Sequence, residues 1–157
     1  MRVGIGYDSH RFADGPRRPL ILGGVEVPHP RGLAGHSDAD AVAHALTDAL
    51  LGAAGLGDIG ALFPDSDARW RDVNSLHLLA QAHAKLVAAG HGFVQADITI
   101  ILEQPKLGPH IAAMRERLAG ALGAAPAAVS VKAKTNEGMG WIGKGEGVAV
   151  IAVAVVE

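Results

Sequence analysis

Ten consecutive residues near the C-terminus, GVAVIAVAVV from Gly147 to Val156, carry no polar side chain. A half-solvated strand alternates apolar and polar groups, and this run is more apolar than that. It also falls well short of the roughly 20 residues needed to span a bilayer. It reads as a buried strand, which other elements must cover. "MRVGIGYDSH" alternates apolar and small groups as a strand does, and "HGFVQADITIIL" and "VSVKAK" read as two more. "RPLILGGVEVP" places two short β-branched runs around Gly23 and Gly24, a hairpin signal closed by proline.

Three helices fit the intervening segments. From Asp38 to Ala54, Val42, Leu46, Ala49, Leu50 and Ala53 recur at helical spacing, and Gly55 marks the stop. Ser37 is the expected N-cap there, with Asp40 three positions on as an acidic variant of a capping box. From Ser75 to Ala89, Leu76, Leu79, Leu86 and Val87 share a face before Gly90. Pro109 suits a first helical turn, followed by Ile111, Met114, Leu118 and Leu122 and then Gly123. With 157 residues, 49% of them hydrophobic, and no linker or fixed-period repeat, residues 1–157 suit one domain. The expected fold class is α/β (α+β), a mixed β-sheet with helices packed on one face.

Lysine plus arginine number 14 against 16 aspartates and glutamates, so no basic field offers itself to nucleic acid or a membrane surface. Zero cysteines exclude disulfides and thiolate zinc sites, and the opening residues lack an apolar signal core, which makes a cytoplasmic setting the expectation.

Without thiolates, zinc is held by histidine nitrogen and carboxylate oxygen, and a catalytic site keeps three protein ligands and one open position. Asp8 and His10, two apart at a strand end, point to one face, and His44 lies one turn into the following helix. Asp8, His10 and His44 therefore form a candidate metal set. Asp40, four residues before His44, is a further ligand or an orienting group. The bland alternative is that Asp38 and Asp40 only favour the positive end of a helix and the histidines are ordinary hydrogen-bonders. His36 sits in a glycine-containing loop where it could reach a ligand from outside the metal set, although by its local pattern alone a loop histidine with no task is the better reading. "GLGDIGALFPDSD" is too apolar for a solvated linker and suits a structured loop lining a site, with a well-packed connector fitting nearly as well. "KAKTNEGMGWIGKGEG" combines Lys134, Thr135, Asn136 and Glu137 with glycines whose backbone amides can approach phosphate, although it lacks Walker spacing and no helix clearly follows. A glycine-rich hairpin with solvated charges fits it equally. Glu137 is a hard oxygen ligand of the kind magnesium uses with substrate phosphates.

Taken together, "GYDSHRF", "ILGGVEVP", "GLAGHSDADAVAHALTDALLGAAGLGDIGALFPDSD", "DITIILEQPKLGPHI" and "VKAKTNEGMGWIGKGEGVAV" resemble the 2-C-methyl-D-erythritol 2,4-cyclodiphosphate synthases in register over nearly the whole chain. The resemblance implies a homotrimer with active sites between subunits, acting in the non-mevalonate route to isoprenoid precursors. It implies zinc on Asp8, His10 and His44, and Mg2+ or Mn2+ held by Glu137 with the substrate diphosphate. His36 and Thr135 match positions that stabilise the transition state. Ser37, with Asp58, Ile59 and Gly60, then Phe63, Pro64, Asp65, Ser66 and Asp67, matches the surroundings of the methylerythritol phosphate. Leu102, Glu103, Gln104, Pro105, Lys106, Leu107 and Gly108, together with Ala133, Lys134 and Asn136, match the cytidine diphosphate pocket. Trp141 and Lys144 complete the expected substrate contacts.

The implied reaction is attack of the substrate's own 2-phosphate on its β-phosphorus with release of CMP, which needs no protein nucleophile. Three positions depart from the commonest pattern: Ala39 stands for a frequent glycine, Trp141 for phenylalanine and Lys144 for arginine. Lysine keeps charge but loses arginine's bidentate fork, which leaves open whether a central trimer cavity takes an isoprenoid diphosphate. Two rival functions share the same residues. One is a zinc phosphohydrolase using a metal-bound water, the other a non-enzymatic trimeric nucleotide-binding protein with a structural metal.

Overall fold

A computed structural model describes residues 1–15 and 17–157. Strands β1 (Arg2–Arg11), β4 (Phe93–Ile101), β5 (Val129–Lys134) and β6 (Gly147–Val156) form one sheet in the order β1-β6-β4-β5. The apolar run β6 is thus interior, antiparallel to both β1 and β4, while β5 pairs parallel with β4 at the far edge. The hairpin β2 (Leu20–Leu22) and β3 (Val25–Val27) turns at Gly23 and Gly24, as expected.

Helices α1 (Ala41–Ala54) and α4 (Ile111–Ala121) pack on one face of the sheet, and α3 (Ser75–Ala88) lies against these two helices, all three adding side chains to one core. That face carries Val148, Val150, Ala152, Ala154 and Val156 of β6 with Ala96, Ile98 and Ile100 of β4, all buried. The opposite face leaves Val3, Ile5, Tyr7 and Ile151 exposed. Two short helices, α2 (Ile59–Leu62) and α5 (Gly140–Gly143), interrupt the loops, so a one-turn helix does follow the Thr135 segment.

Helix α1 packs directly on β1 because the strand has glycine where the helix crosses. A Cβ on Gly4 would lie 2.1 Å from the Ala49 carbonyl oxygen, and one on Gly6 would lie 1.9 Å from that of Ala45. The helix answers with alanines at 41, 43, 45, 49 and 53, and fully buried Leu46 and Leu50 add about 1.5–3 kcal/mol each.

The N-terminus of α1 corrects one expectation. Asp40, not Ser37, is the N-cap, its Oδ1 accepting from the N–H groups of Val42 and Ala43. The same fully buried carboxylate accepts Gly23 N–H at 2.8 Å and Gly24 N–H at 2.6 Å, pinning the hairpin turn to the helix start. Ala39, with φ at 57°, lies in the left-handed region and keeps the helix from starting earlier. Asp40 is therefore neither a ligand nor an orienter of His44. Burial pushes its carboxyl up, against the pull of the four N–H groups.

Candidate metal centre and nucleotide pocket

Even-numbered residues of β1 face helix α1, so the parity that makes Gly4 and Gly6 touch the helix also turns Asp8 and His10 toward it. His44, in the first turn of α1, meets them there. His10 Nε2 lies 2.9 Å and His44 Nδ1 3.1 Å from the same oxygen, Asp8 Oδ2, and the two nitrogens are 3.4 Å apart. All three candidate ligand atoms fall within 4.8 Å of one another.

The chemistry of this trio calls for a cation. His10 Nδ1 lies 2.7 Å from the Ala34 carbonyl oxygen, which only accepts, so Nδ1 carries the ring hydrogen. His10 Nε2 then aims a lone pair at a carboxylate oxygen. Two acceptors at 2.9 Å are reconciled by a proton or a metal ion between them. Two nitrogens and one oxygen with a fourth side open suit a catalytic zinc site. Around them lies a cavity of about 280 Å³ lined also by His36, Ser37, Ile59, Gly60, Phe63 and Asp65. All six were expected from the sequence. Among the described residues, His36 Nδ1 and Trp70 Nε1 are buried polar atoms with no hydrogen-bond partner, and both residues line this cavity.

Without metal, a proton plays the cation's part. Burial opposes charge on His10, but the Asp8 carboxylate outweighs it and raises the histidine above its usual range. Burial likewise works upward on Asp8, yet His10 and His44 draw it down to about 2. The signs follow by linkage. Stability from the depressed Asp8 is present above about pH 3.8 and lost as pH falls toward 2, while that from His10 is present below 6.5 and lost as pH rises through its raised value. Metal-free protein is expected to gain most from this cluster between about pH 4 and 6.5. Melting temperatures of chelator-treated wild type and Asp8→Asn across pH 3–9 check this, since their difference should peak in that window.

The remaining expected residues divide by position. Asp58 caps α2 through Ala61 N–H, and Asp67 caps the 3₁₀ turn Ala68–Trp70 and pairs with Arg69. Pro64 and Ser66 are exposed in the connecting loop, and none of these four lines the metal cavity.

Leu102, Pro105, Lys106, Leu107 and Gly108 instead line a separate cavity of about 390 Å³ with Ala133, Lys134 and Thr135. Glu103 folds the adjacent loop, its Oε1 accepting Asn136 N–H at 2.8 Å and Gly138 N–H at 3.3 Å. Thr135 Oγ1 donates to Glu137 Oε1 at 2.9 Å, and Gln104 is exposed. Trp141 lines a third cleft with His10, Arg31 and Glu146, and exposed Lys144 lines neither the metal cavity nor the cavity of Leu102 and Thr135.

Sequence spacing gave no sign of Ser75, whose Oγ lies 2.8 Å from His44 Nε2 across 31 residues, or of Trp70, which packs edge-on to Phe63. No helix of the described residues is long and apolar enough to cross a membrane.

The two cavities stand at opposite edges of the sheet. β1, β4 and β5 all run the same way against β6, so the ends carrying Asp8, Leu102 and Thr135 share one rim. β1 and β5 are nonetheless three strand spacings apart, about 14 Å.

Comparison with known proteins bears directly on this arrangement. The chain is 58% identical over 156 residues to the 2-C-methyl-D-erythritol 2,4-cyclodiphosphate synthase of Gemmatimonas aurantiaca, covering 99% of this chain and 93% of that one. It superposes on the bifunctional IspDF of Campylobacter jejuni with a TM-score of 0.94 at 43% identity, over 99% of this chain and 42% of that one. A CDP-bound structure of a 2C-methyl-D-erythritol-2,4-cyclodiphosphate synthase matches with a TM-score of 0.89 at 43% identity, over 99% of this chain and all of the other. The model of the YgbB family matches residues 1–157, and with near full-length identity to these synthases, the chain belongs to that family.

Proposed function

We propose that the chain is a cyclodiphosphate synthase of isoprenoid precursor biosynthesis. It converts 4-diphosphocytidyl-2-C-methyl-D-erythritol 2-phosphate to 2-C-methyl-D-erythritol 2,4-cyclodiphosphate and CMP. The observation that carries the reading is the 58% identity to a synthase of that name over 99% of the chain. A 2-phosphate oxygen attacks the β-phosphorus, and the bond from that phosphorus to the bridging oxygen breaks, with CMP leaving on the electron pair. The work left to the protein is to position the two phosphates and neutralise their charge, for which orientation alone is worth up to about 7–11 kcal/mol.

Asp8, His10 and His44 would hold zinc, and Glu137 would hold Mg2+ or Mn2+ together with the diphosphate. Bound there, the two ions supply Lewis-acid contacts to phosphate oxygens and offset their negative charge. His36 and Ser37 line the same cavity as the zinc ligands and orient the 2-phosphate end, while Ile59, Gly60, Phe63 and Asp65 enclose the methylerythritol. At the other cavity, Lys106, Lys134 and the Thr135 hydroxyl face the cytidine diphosphate. Trp141 shares a cleft with His10 and would approach the substrate from that side, while exposed Lys144 stands outside both cavities.

A homotrimer completes this picture. Metal cavity and nucleotide cavity share no lining residue, and the edge strands β1 and β5 beside them are about 14 Å apart within one chain, so β5 of one copy set beside β1 of the next would unite them. The sheet face turned away from the helices supports such an assembly, with Val3, Ile5 and Tyr7 left 66%, 71% and 57% exposed. A cytoplasmic setting belongs to the same reading.

The test mixes two variants. His36→Ala damages the metal half and Thr135→Ala the nucleotide half. Each alone should be nearly inactive, whereas co-refolded mixtures should regain up to about a quarter of wild-type turnover by random assortment around a trimer. CMP and a cyclic diphosphate are the expected products. Release of inorganic phosphate would point to a phosphohydrolase, and full turnover in both single variants would remove the roles assigned to His36 and Thr135.

A further inference from the structure

The hydroxyl that touches His44 has one proton to give, and it is already engaged. Ser75 Oγ donates to Asp38 Oδ1 in a short bond, and the other oxygen of that carboxylate accepts Ser75 N–H at 3.0 Å. Toward His44 Nε2, 2.8 Å away, Ser75 Oγ therefore acts as an acceptor. Nε2 therefore carries a ring hydrogen, and in the neutral ring, the form that binds metal, Nδ1 presents its lone pair. Nδ1 is the atom that faces Asp8 Oδ2 at 3.1 Å.

We propose that Ser75 and Asp38 are positioning residues that lock His44 in its Nε2–H tautomer and thereby set the metal affinity of the Asp8–His10–His44 centre. Ser75 is fully buried at the first position of α3, so its hydroxyl has no water to turn to. The geometry is held by backbone on both sides: Asp38 N–H donates to the Val73 carbonyl at 3.2 Å and Asp72 N–H to that of His36 at 3.0 Å. Ser37 Oγ lies farther from His44 Nε2, at 3.2 Å, and accepts Ala39 N–H, which makes it an auxiliary contact. The negative Asp38 at the end of the relay also makes the imidazole a stronger electron donor. Carboxylate groups behind metal-binding histidines act in this way, usually with one group fewer in the chain.

The inference rests on the reading of Asp8, His10 and His44 as metal ligands, and its test separates the two. Zinc alone is the probe, with its dissociation constant measured by chelator competition on the full chain. In parallel, ¹⁵N-imidazole NMR of the metal-free protein reads the His44 tautomer. Ser75→Ala is expected to weaken zinc binding about 10–100-fold and to leave His44 as a mixture of tautomers. Ser75→Thr, which keeps the hydroxyl, should restore both. Should Ser75→Ala fail to fold, Asp38→Asn reads the same relay, with a smaller loss expected because the amide oxygen still accepts. A folded Ser75→Ala with wild-type zinc affinity overturns the proposal, as does weakened affinity with the tautomer unchanged. A wild type that binds no zinc overturns the metal reading beneath it.

Discussion

His44→Ala is expected to lose zinc and to lower turnover on the order of 10³-fold, the equivalent of about 4 kcal/mol of transition-state stabilisation. The imidazole is the only one of the three groups that comes from helix α1; Asp8 and His10 both come from β1. Without it, two ligands remain on one strand, and Asp8 loses one of the two histidines that draw it down to about 2. A site that binds the folded state adds stability by mass action, so excess zinc should raise the melting temperature of the wild type and leave that of His44→Ala unmoved. Elemental analysis and CMP release check the two halves of the prediction. Equal zinc occupancy in both proteins would remove His44 from the centre.

Gly6→Ala should be nearly as damaging although Gly6 touches no ligand. Its Cβ would lie 1.9 Å from the Ala45 carbonyl oxygen and 2.7 Å from Ala49 N, both backbone atoms that cannot rotate away. Reaching ordinary contact means moving α1 outward by about 1.5 Å, or distorting β1 by as much. Overpacking of this sort costs about 1–3 kcal/mol and more where backbone is the obstacle. His44 is the neighbour of Ala45, so the ligand moves with the helix. Metal centres tolerate only about 0.2 Å in ligand distance, and a misplacement near 1 Å can cost on the order of 100-fold in rate. The expected result is lower stability together with weakened zinc binding, read by thermal melting and chelator competition. A Gly6→Ala protein with wild-type zinc affinity would show that the close crossing of strand and helix does not position His44.

Both predictions concern one contact, and it shows how the fold makes the site. Two glycines admit a helix onto a strand at backbone distance. The strand's period of two then carries Asp8 and His10 to the face that the helix covers, and the helix start delivers His44 to the same point. Asp40 fixes where that start lies, by taking two N–H groups from the helix and two from the hairpin turn. Ala39 holds the turn before that start in a left-handed backbone, φ near 57°, which glycine would adopt without a Cβ clash.

Features with a short period or a local cap were legible along the chain alone. Alternation along "MRVGIGYDSH" put Asp8 and His10 on one face, Gly23 and Gly24 marked the hairpin, and the apolar content of Gly147–Val156 placed β6 inside the sheet. Tertiary structure decided what depends on approach between distant segments. Asp40 looked like a partner of His44 by helical spacing, yet it turns to a hairpin 16 residues before it, while Ser75, 31 residues after His44, takes the contact. Strand order likewise set the metal cavity and the cavity of Leu102 and Thr135 at opposite edges, although the motifs alone gave no reason to separate His36 from Thr135. Spacing along the chain fixes direction within one element, but which elements meet depends on how closely two backbones can pack, and here that was decided by hydrogen atoms standing in for side chains at Gly4 and Gly6.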